Sequence, residues 1–240
     1  MSDITVILNG YKRPQFLKEQ IEAVRNQTVK PTEIMLWQNN SEGFSIEDTN
    51  SLTTAVSNTN LGVWARFAFA LNAKTEYICI FDDDTIPGSK WFENCLETMK
   101  THEGLLGTIG LIYRSPLTYQ GNIRIGWDNP NEITTRVDIV GHAWFFKREW
   151  LSTFWRELPP AGLLTAGEDM HFSYTLQKYL GLNTYVPPHP SDDKEMWGSK
   201  KGWEMGTERN AISFNPANHY LMNAYYVELI RRGFKIINNG

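Results

Sequence analysis

Apolar segments with strand character alternate with amphipathic helices along the first hundred residues of this 240-residue chain. The β-branched run "ITVILNG" is followed by a helix in which Leu17, Ile21 and Val24 share one face. The apolar runs "EIMLWQNN", "TTAVSN" and "EYICIFDDD" continue the pattern, and further helices follow the last two. This alternation is typical of an α/β protein with a mostly parallel sheet that helices cover on both faces.

The second half of the chain has a different pattern. Turn residues separate the short strand-like pieces "TIGLIYR", "NIRIGW", "RVDIVG" and "AWFFKR", which predict a smaller antiparallel portion. Helices are predicted over 168–180 and 217–232, and the stretch from 187 to 216 has the prolines, glycines and charges of a long loop. We therefore expect one domain over residues 1–240.

The composition excludes several classes of protein. The chain is 41% hydrophobic and 21% charged, which is ordinary for a globular protein, and its formal net charge of −4 gives no bulk basic field for nucleic acid. No apolar stretch approaches the roughly 20 residues of a membrane span, and we expect no signal peptide. Cys79 and Cys95 fall in a strand and on a helix face, which predicts reduced core cysteines and a cytoplasmic location.

Three aspartates, Asp82, Asp83 and Asp84, follow directly after the apolar run "YICIF". Adjacent carboxylates repel one another, so the pattern indicates either a solvated strand end or a bound divalent cation. Two other predicted strands also end in polar residues, at 9–13 and 38–40. Because ligands bind at the carboxyl ends of strands in open α/β sheets, the three strand ends together predict a site for a metal-bound nucleotide.

Four motifs in order resemble those of the family 2 inverting glycosyltransferases of the GT-A fold. They are the opening "ITVILNGYKRPQFLKEQIEAVRNQTVKPTEIMLWQNNSEG", the segment "NTNLGVWARFAFAL", the strand end "FDDDTIP" and the helix start "GEDMHFSYTLQKYLG". The resemblance spans roughly residues 3 to 190. It implies a mostly parallel nucleotide-binding sheet flanked by helices, with a smaller antiparallel acceptor-side portion. The nucleotide-sugar-binding half would cover about 1–100, and the acceptor-side half about 101–240, with a loop near 191–209.

The resemblance also implies a reaction, the transfer of a hexosyl or pentosyl group from a nucleotide sugar to an acceptor hydroxyl with Mn²⁺ or Mg²⁺ on the diphosphate. Asp169 would be the general base, and its place at a helix N-terminus favours the anionic form. Asp84 and Asp82 would hold the metal, together with His189, where many relatives place a histidine ligand. The alternative interpretations are that Asp169 only complements the helix dipole and that His189 is an ordinary surface residue.

Donor-binding residues are implied at the same strand ends. UDP is slightly favoured, although Gln38 and Asn39 stand where the family usually has aspartates, and an amide pairs with uracil without selecting it. The expected donor-binding residues are Asn9, Tyr11, Arg13, Asn39, Asn60, Arg66, Asp82 and Asp83.

The acceptor is expected to be a glycan or another hydroxyl compound, bound by Glu168, Trp197 and Trp203. A nucleic-acid acceptor stays open as well, because tryptophan stacks on sugars and bases alike. The loop over 191–209 is predicted to be mobile without donor and to close over the diphosphate. The alternative is a static flap that its two tryptophans pack in place.

Two other function classes remain open. A nucleotidyltransferase that makes nucleotide sugars shares the sheet and the acids, but it needs a Gly-rich basic loop after the first strand, where "NGYKRPQF" has one glycine. A non-catalytic sugar-binding module would bind a saccharide without turning over a nucleotide sugar.

Overall fold

The computed structural model describes residues 3–40, 51–127, 129–158, 163, 165–205 and 216–238. Its strands are β1 (Ile4–Gly10), β2 (Glu33–Asn39), β3 (Thr53–Ser57), β4 (Tyr77–Phe81), β5 (Gly104–Leu106), β6 (Ile109–Ile112), β7 (Ile123–Gly126), β8 (Thr135–Val137), β9 (Ile139–Gly141), β10 (Ala143–Lys147) and β11 (Asn183–Val186). Its α-helices are α1 (Leu17–Arg25), α2 (Ala65–Phe69), α3 (Trp91–Thr101), α4 (Leu151–Phe154), α5 (Glu168–Leu180), α6 (Gly202–Met205) and α7 (Pro216–Arg231).

The main sheet has eight strands in the order β3-β2-β1-β4-β10-β5-β11-β8. The first four are parallel to one another, with Ile7 of β1 opposite Met35 on one side and Ile80 on the other. Strand β1 is buried on both faces, which is why its sequence is almost continuously apolar and does not alternate. The prediction of a mostly parallel sheet flanked by helices is confirmed.

A second, smaller sheet is antiparallel and has the order β7-β6-β9. It confirms the predicted antiparallel portion, but two of the predicted pieces belong elsewhere. The segment "AWFFKR" forms β10, which lies antiparallel between β4 and β5 in the main sheet. The segment "RVDIVG" divides at Asp138 into β8 of the main sheet and β9 of the small one. The carboxylate of Asp138 accepts hydrogen bonds from the N–H groups of Tyr113 and Ile237, each at 2.7 Å.

Two apolar clusters fill the interior. The larger one joins the main sheet to its helices, and in it Phe67 of α2 stacks on Phe154 of α4 at 4.6 Å and meets Phe172 of α5 edge-on. The smaller one lies among α5, α7 and the small sheet and contains Tyr113 and Tyr226 at 4.4 Å. The start of α5 touches both clusters, so its position depends on both sheets.

The helices and the two cysteines bear on the predicted location of the protein. Among the described residues, no helix is long and apolar enough to cross a membrane. Cys79 and Cys95 are buried free thiols. The cytoplasmic location itself stays a prediction.

The segment 191–201, here called the strap, is docked on the loop that follows β4. Three backbone hydrogen bonds of 2.8 Å join them, from Gly88 N–H to Trp197 O, from Lys90 N–H to Glu195 O and from Lys200 N–H to Ile86 O. The ring of Trp197 is 6% exposed, and its Nε1 donates to the carbonyl of Pro190 at 2.7 Å. The strap is therefore packed against the loop that follows β4, and its mobility without donor stays a prediction. Residues 206–209 of the predicted loop lie outside the described residues.

Replacing Gly88 by alanine should weaken the docking of the strap, because the new Cβ would lie 2.4 Å from the carbonyl oxygen of Glu195. We expect the free energy of unfolding to fall by about 1–3 kcal/mol, the usual cost of overpacking. Urea denaturation measures this change. Gly141→Ala is the matched control, since no atom lies within 4 Å of its Cβ. Equal unfolding midpoints for the two variants would contradict the tight contact.

Candidate active site

The carboxyl ends of β2, β1 and β4 meet at one edge of the main sheet, because these strands are parallel neighbours. The structure brings together there most residues that the sequence predicts for the donor and the metal. They are Asn9, Tyr11 and Arg13 after or near the end of β1, Asn39 at the end of β2, Asn60 and Arg66 before and in α2, and Asp82, Asp83 and Asp84 after β4.

The loop that carries the three aspartates is held by main-chain contacts. Gln20 of α1 donates through Nε2 to the carbonyl oxygens of Asp82 and Thr85, each at 2.7 Å. The N–H of Asp82 donates to the carbonyl of His142 at 3.0 Å. The main chain of the aspartate loop is therefore fixed by contacts within the fold.

Arg13 pairs with two of these carboxylates, through Nη2 to Asp83 Oδ1 at 2.5 Å and through Nη1 to Asp84 Oδ2 at 2.7 Å. Burial raises the pKa of Asp83 to about 7, although Arg13 opposes this change. The pKa of Asp84 lies below its ordinary value, because His142 and Arg13 outweigh the effect of burial. Asp83 Oδ2 and Asp84 Oδ1 are buried and have no hydrogen-bond partner among the described residues.

Asp82, Asp84 and His142 form a group that could hold a metal ion, since one ligand atom of each lies within 4.8 Å of the others. Nδ1 of His142 is 3.8 Å from Asp84 Oδ1 and 4.0 Å from Asp82 Oδ2. These separations are too long for hydrogen bonds. They fit atoms that share a cation, because ligands about 2.1 Å from Mg²⁺ lie at most about 4.2 Å apart. The unpartnered Asp84 Oδ1 fits the same interpretation, so the residues suit a divalent cation.

His142 was not predicted from the sequence, and its backbone explains its position. Its backbone is left-handed, with a φ of 63°, and that of Trp127 is left-handed too, with a φ of 41°. The ring centroids of these two residues are 5.0 Å apart. Such φ values are uncommon for residues other than glycine and store strain that surrounding structure must hold. The signal in the sequence was a histidine between two strand-like pieces, "RVDIVG" and "AWFFKR".

His189, which the sequence predicts as a metal ligand, is not part of this group. It is fully buried, and burial lowers its pKa to about 4. Its Nδ1 lies 2.8 Å from the carbonyl of Pro187, while Nε2 accepts from Gly198 N–H at 3.3 Å and lies 2.9 Å from Thr108 Oγ1. Both ring nitrogens are therefore engaged by groups that hold the strap in place.

Arg66 connects the aspartate loop to helix α5. Its side chain is 3% exposed, Nη1 forms an ion pair with Asp82 Oδ1, and Nη2 pairs with Glu168 Oε1 at 2.7 Å. The guanidinium also lies over the ring of Trp144, 4.4 Å from its centroid. The two ion pairs compensate the burial of the guanidinium and fix Glu168 beside the metal-binding group.

Asp169 lies in the first turn of α5, where its Oδ1 accepts the N–H of Met170 at 2.7 Å. Burial, and then the neighbouring carboxylate of Glu168, raise the pKa of Asp169 to about 7. A carboxylate that only complemented a helix dipole would have a lowered pKa. The raised value instead suits a group that accepts a proton near neutral pH.

The side chain of Asn39 is occupied by the loop before α2. Its Nδ2 donates to Asn60 Oδ1 at 2.9 Å and to Gly62 O at 3.3 Å, and its Oδ1 accepts the N–H of Leu61 at 2.8 Å. Asn60 in turn donates to the hydroxyl of Tyr11 at 3.0 Å. Both N–H groups of the Asn39 amide are used, so only its oxygen has capacity left for a nucleotide base.

The predicted acceptor residues are separated in the structure. Glu168 is at the site, where Arg66 holds it. Trp197 is buried in the strap and is not a free stacking surface. Trp203 lies in α6, and its side chain is outside the described residues.

The sequence model of the family described as Glycosyl transferase family 2 matches residues 5–157, more than half of the chain. The protein therefore belongs to this family. No curated protein sequence matches the chain.

Solved structures of other proteins share the fold. S. aureus TarS 1-349 in complex with UDP has a TM-score of 0.53 and 17% identity, over 79% of this chain and 59% of that chain. Mannosyltransferase PcManGT from Pyrobaculum calidifontis, in complex with GDP-Man and Mn²⁺, has a TM-score of 0.51 and 16% identity, over 96% of this chain and 73% of that chain. This chain thus spans about three fifths of the TarS chain that it matches. The likeness shows the GT-A fold.

Replacing Arg66 by methionine should destabilise the protein, because Glu168 would remain buried without its partner. We expect a loss of about 3–5 kcal/mol in the free energy of unfolding at pH 7, the usual effect of removing one partner of a buried ion pair. Thermal and urea unfolding measure it. Arg148→Met, at an exposed position, is the control and should change stability by less than about 0.5 kcal/mol. A similar loss in both variants would contradict the special role of Arg66.

Proposed function

We propose that the protein is a metal-dependent inverting glycosyltransferase that moves a sugar from a nucleotide sugar to an acceptor hydroxyl, with Asp169 as general base. The observation that carries the proposal is the arrangement around Arg66. This residue joins the metal-binding aspartate loop, through Asp82, to Glu168, which directly precedes a carboxylate with a pKa of about 7.

We infer that Asp82, Asp84 and His142 hold Mn²⁺ or Mg²⁺. The site contains five carboxyl groups, at positions 82–84, 168 and 169, and two guanidinium groups, Arg13 and Arg66. This excess of acid favours a cation, and a diphosphate would add further negative charge. When bound, the cation supplies Lewis-acid stabilisation of the leaving diphosphate.

The donor is a nucleoside diphosphate sugar in this proposal. Support comes from TarS, whose structures contain UDP or UDP-GlcNAc, and from PcManGT, whose structure contains GDP-Man. Asn9, Tyr11 and Asn60 would contact the nucleoside, and Arg13 would exchange part of its aspartate pairing for the diphosphate. UDP keeps a slight preference, since Asn39 Oδ1 can accept from uracil N3–H.

Asp169 takes the proton from the acceptor hydroxyl. At the same time the oxygen of that hydroxyl attacks the anomeric carbon on the side opposite the diphosphate. This direction of attack inverts the configuration. Glu168 is a poorer base because Arg66 holds its Oε1, whereas the described contacts of the Asp169 carboxylate include no cation. A glycan or another hydroxyl compound would be the acceptor.

Product analysis tests the proposed function against its alternatives. Release of UDP or GDP from a nucleotide sugar in the presence of Mn²⁺ would support a transferase. A nucleotidyltransferase would instead exchange pyrophosphate with the nucleotide sugar, and a non-catalytic module would leave it intact.

The variants Asp84→Asn and His142→Ala should weaken the Mn²⁺-dependent binding of UDP and GDP at least about tenfold, because each removes a ligand of the cation. Isothermal titration calorimetry with and without Mn²⁺ measures this effect. His189→Ala is the matched control. It should lower the unfolding temperature through the strap but keep Mn²⁺-dependent binding. The metal assignment is wrong if His189→Ala loses that binding and His142→Ala keeps it.

Asp169→Asn should leave nucleotide binding intact and slow transfer by about 10²–10⁴, since the amide keeps the shape but cannot take the proton. Initial rates of nucleoside diphosphate release measure the effect. Near-normal transfer by this variant, with strong loss in Glu168→Gln, would move the base to Glu168.

The pH profile of the parent protein belongs to the same prediction. The base must be unprotonated, and its pKa of about 7 means that kcat/KM rises with pH and levels off above that value. Two pH units below the pKa, the rate should be about a hundredfold lower. A profile that levels off already near the ordinary pKa of an aspartate would contradict the raised value.

A further inference from the structure

Tyr119 lies in the connection between β6 and β7 and is anchored to helix α7. Its N–H donates to Asn223 Oδ1 at 2.9 Å, and the neighbouring Thr118 hydroxyl donates to the same oxygen at 3.2 Å. Its ring centroid is 5.5 Å from that of Tyr113 and 6.3 Å from that of Tyr226. Backbone and ring are therefore both held in place.

The anchored ring is close to the proposed base. Met170, the residue after Asp169, is buried in the apolar cluster that contains Tyr113 and Tyr226, and Tyr119 packs against this cluster. Burial raises the pKa of Tyr119, and the carboxylates of Asp169 and Glu168 raise it further while Arg124 opposes them. The phenol is thus within electrostatic range of both acids at the start of α5.

The hydroxyl of Tyr119 is available to a ligand. The residue is half-buried, and its Oη forms no hydrogen bond with any residue that the structure describes. Tyr113 differs, since it is fully buried and its Oη is enclosed without a partner among the described residues. The hydroxyl of Tyr119 can therefore meet a bound molecule, whereas the hydroxyl of Tyr113 is enclosed in the core.

Tyr119, Glu168 and Asp169 are here called the wall, and their chemistry indicates what kind of molecule they would bind. Phenol and carboxylate groups hydrogen-bond to sugar hydroxyls, and an aromatic face packs on the apolar face of a sugar ring. Asp169 would repel the phosphates of a nucleic acid, and so would Glu168, whose charge Arg66 partly compensates. The wall therefore favours an uncharged polyhydroxyl compound.

We propose that Tyr119 contacts the acceptor and orients its reacting hydroxyl toward Asp169, and that the acceptor is an uncharged saccharide. This inference rests on the proposed function. The bond between the acceptor oxygen and the anomeric carbon forms as the bond from that carbon to the diphosphate breaks. The hydroxyl proton goes to Asp169, and the nucleoside diphosphate leaves with the electron pair.

The test compares the parent with Tyr119→Phe, which keeps the ring and removes the hydroxyl. UDP-GlcNAc, UDP-glucose, UDP-galactose and GDP-mannose serve as donors with Mn²⁺, and the methyl glycosides of glucose, galactose, mannose and N-acetylglucosamine serve as acceptor probes. We expect the acceptor KM to rise about three- to tenfold, the effect of one lost hydrogen bond. Donor hydrolysis by water and Mn²⁺-dependent nucleotide binding should stay unchanged, which a merely structural defect would not allow.

Tyr220→Phe is the matched control, because Tyr220 is 77% exposed on the same helix α7. It should match the parent in acceptor KM, hydrolysis and binding. An unchanged acceptor KM in Tyr119→Phe would overturn the role of Tyr119.

A parent that hydrolyses a donor but transfers to none of the glycosides, or that transfers to a single-stranded DNA oligonucleotide instead, would overturn the saccharide acceptor. If the parent releases no nucleoside diphosphate from any donor, the proposed function fails and this inference fails with it. Each result is distinguishable from the others by the substrate that is consumed.

Discussion

The buried guanidinium of Arg66 joins three parts of the chain that are far apart in sequence. It lies in α2, pairs with Asp82 after β4 and with Glu168 at the start of α5, and is covered by Trp144 of β10. A guanidinium with this little solvent is stable only while both carboxylates stay ionised and in place. The requirement orders the site, since one oxygen of Asp82 is left for His142 and Glu168 is fixed. Of the two adjacent acids at the start of α5, Glu168 is held by Arg66, whereas the described contacts of Asp169 include no arginine.

The remaining charges of the site do not balance without a ligand. Arg13 pairs with Asp83 and Asp84, but one oxygen of each stays buried and unpartnered among the described residues. Burying a polar atom without a hydrogen-bond partner costs free energy, and a bound ligand can offset that cost. His142 carries backbone strain beside the same carboxylates. A cation that arrives with a diphosphate would satisfy the aspartate oxygens and would release Arg13 toward the phosphates, so metal and donor binding should be coupled.

Local periodicity was sufficient to predict the parallel strands and the helix from 168 to 180, because burial on both faces or on one face leaves a pattern in the sequence. It could not assign β10, whose partners β4 and β5 are distant in the chain and whose apolar run suits any covered strand. Periodicity could not distinguish the roles of the two histidines either. The family resemblance implies a metal ligand at His189, and in the structure its ring contacts Thr108 and Gly198. His142 lies near the aspartates because its backbone has a left-handed conformation, which the surrounding sequence pattern does not predict.

The division of the site between the matched family region and the rest of the chain bears on specificity. The family match ends at residue 157, so it includes Asp82, Asp84 and His142 but not Asp169 or helix α7. The residues that would hold the metal thus come from the matched part. The residue that would take the proton, and the helix that anchors Tyr119 through Asn223, come from beyond it. In the proposed mechanism the acceptor contacts both Asp169 and Tyr119, so selection among acceptors would depend mainly on how α5 and α7 pack against the small sheet. These elements meet at the cluster of Tyr113, Met170 and Tyr226, which would then link the core to acceptor selection.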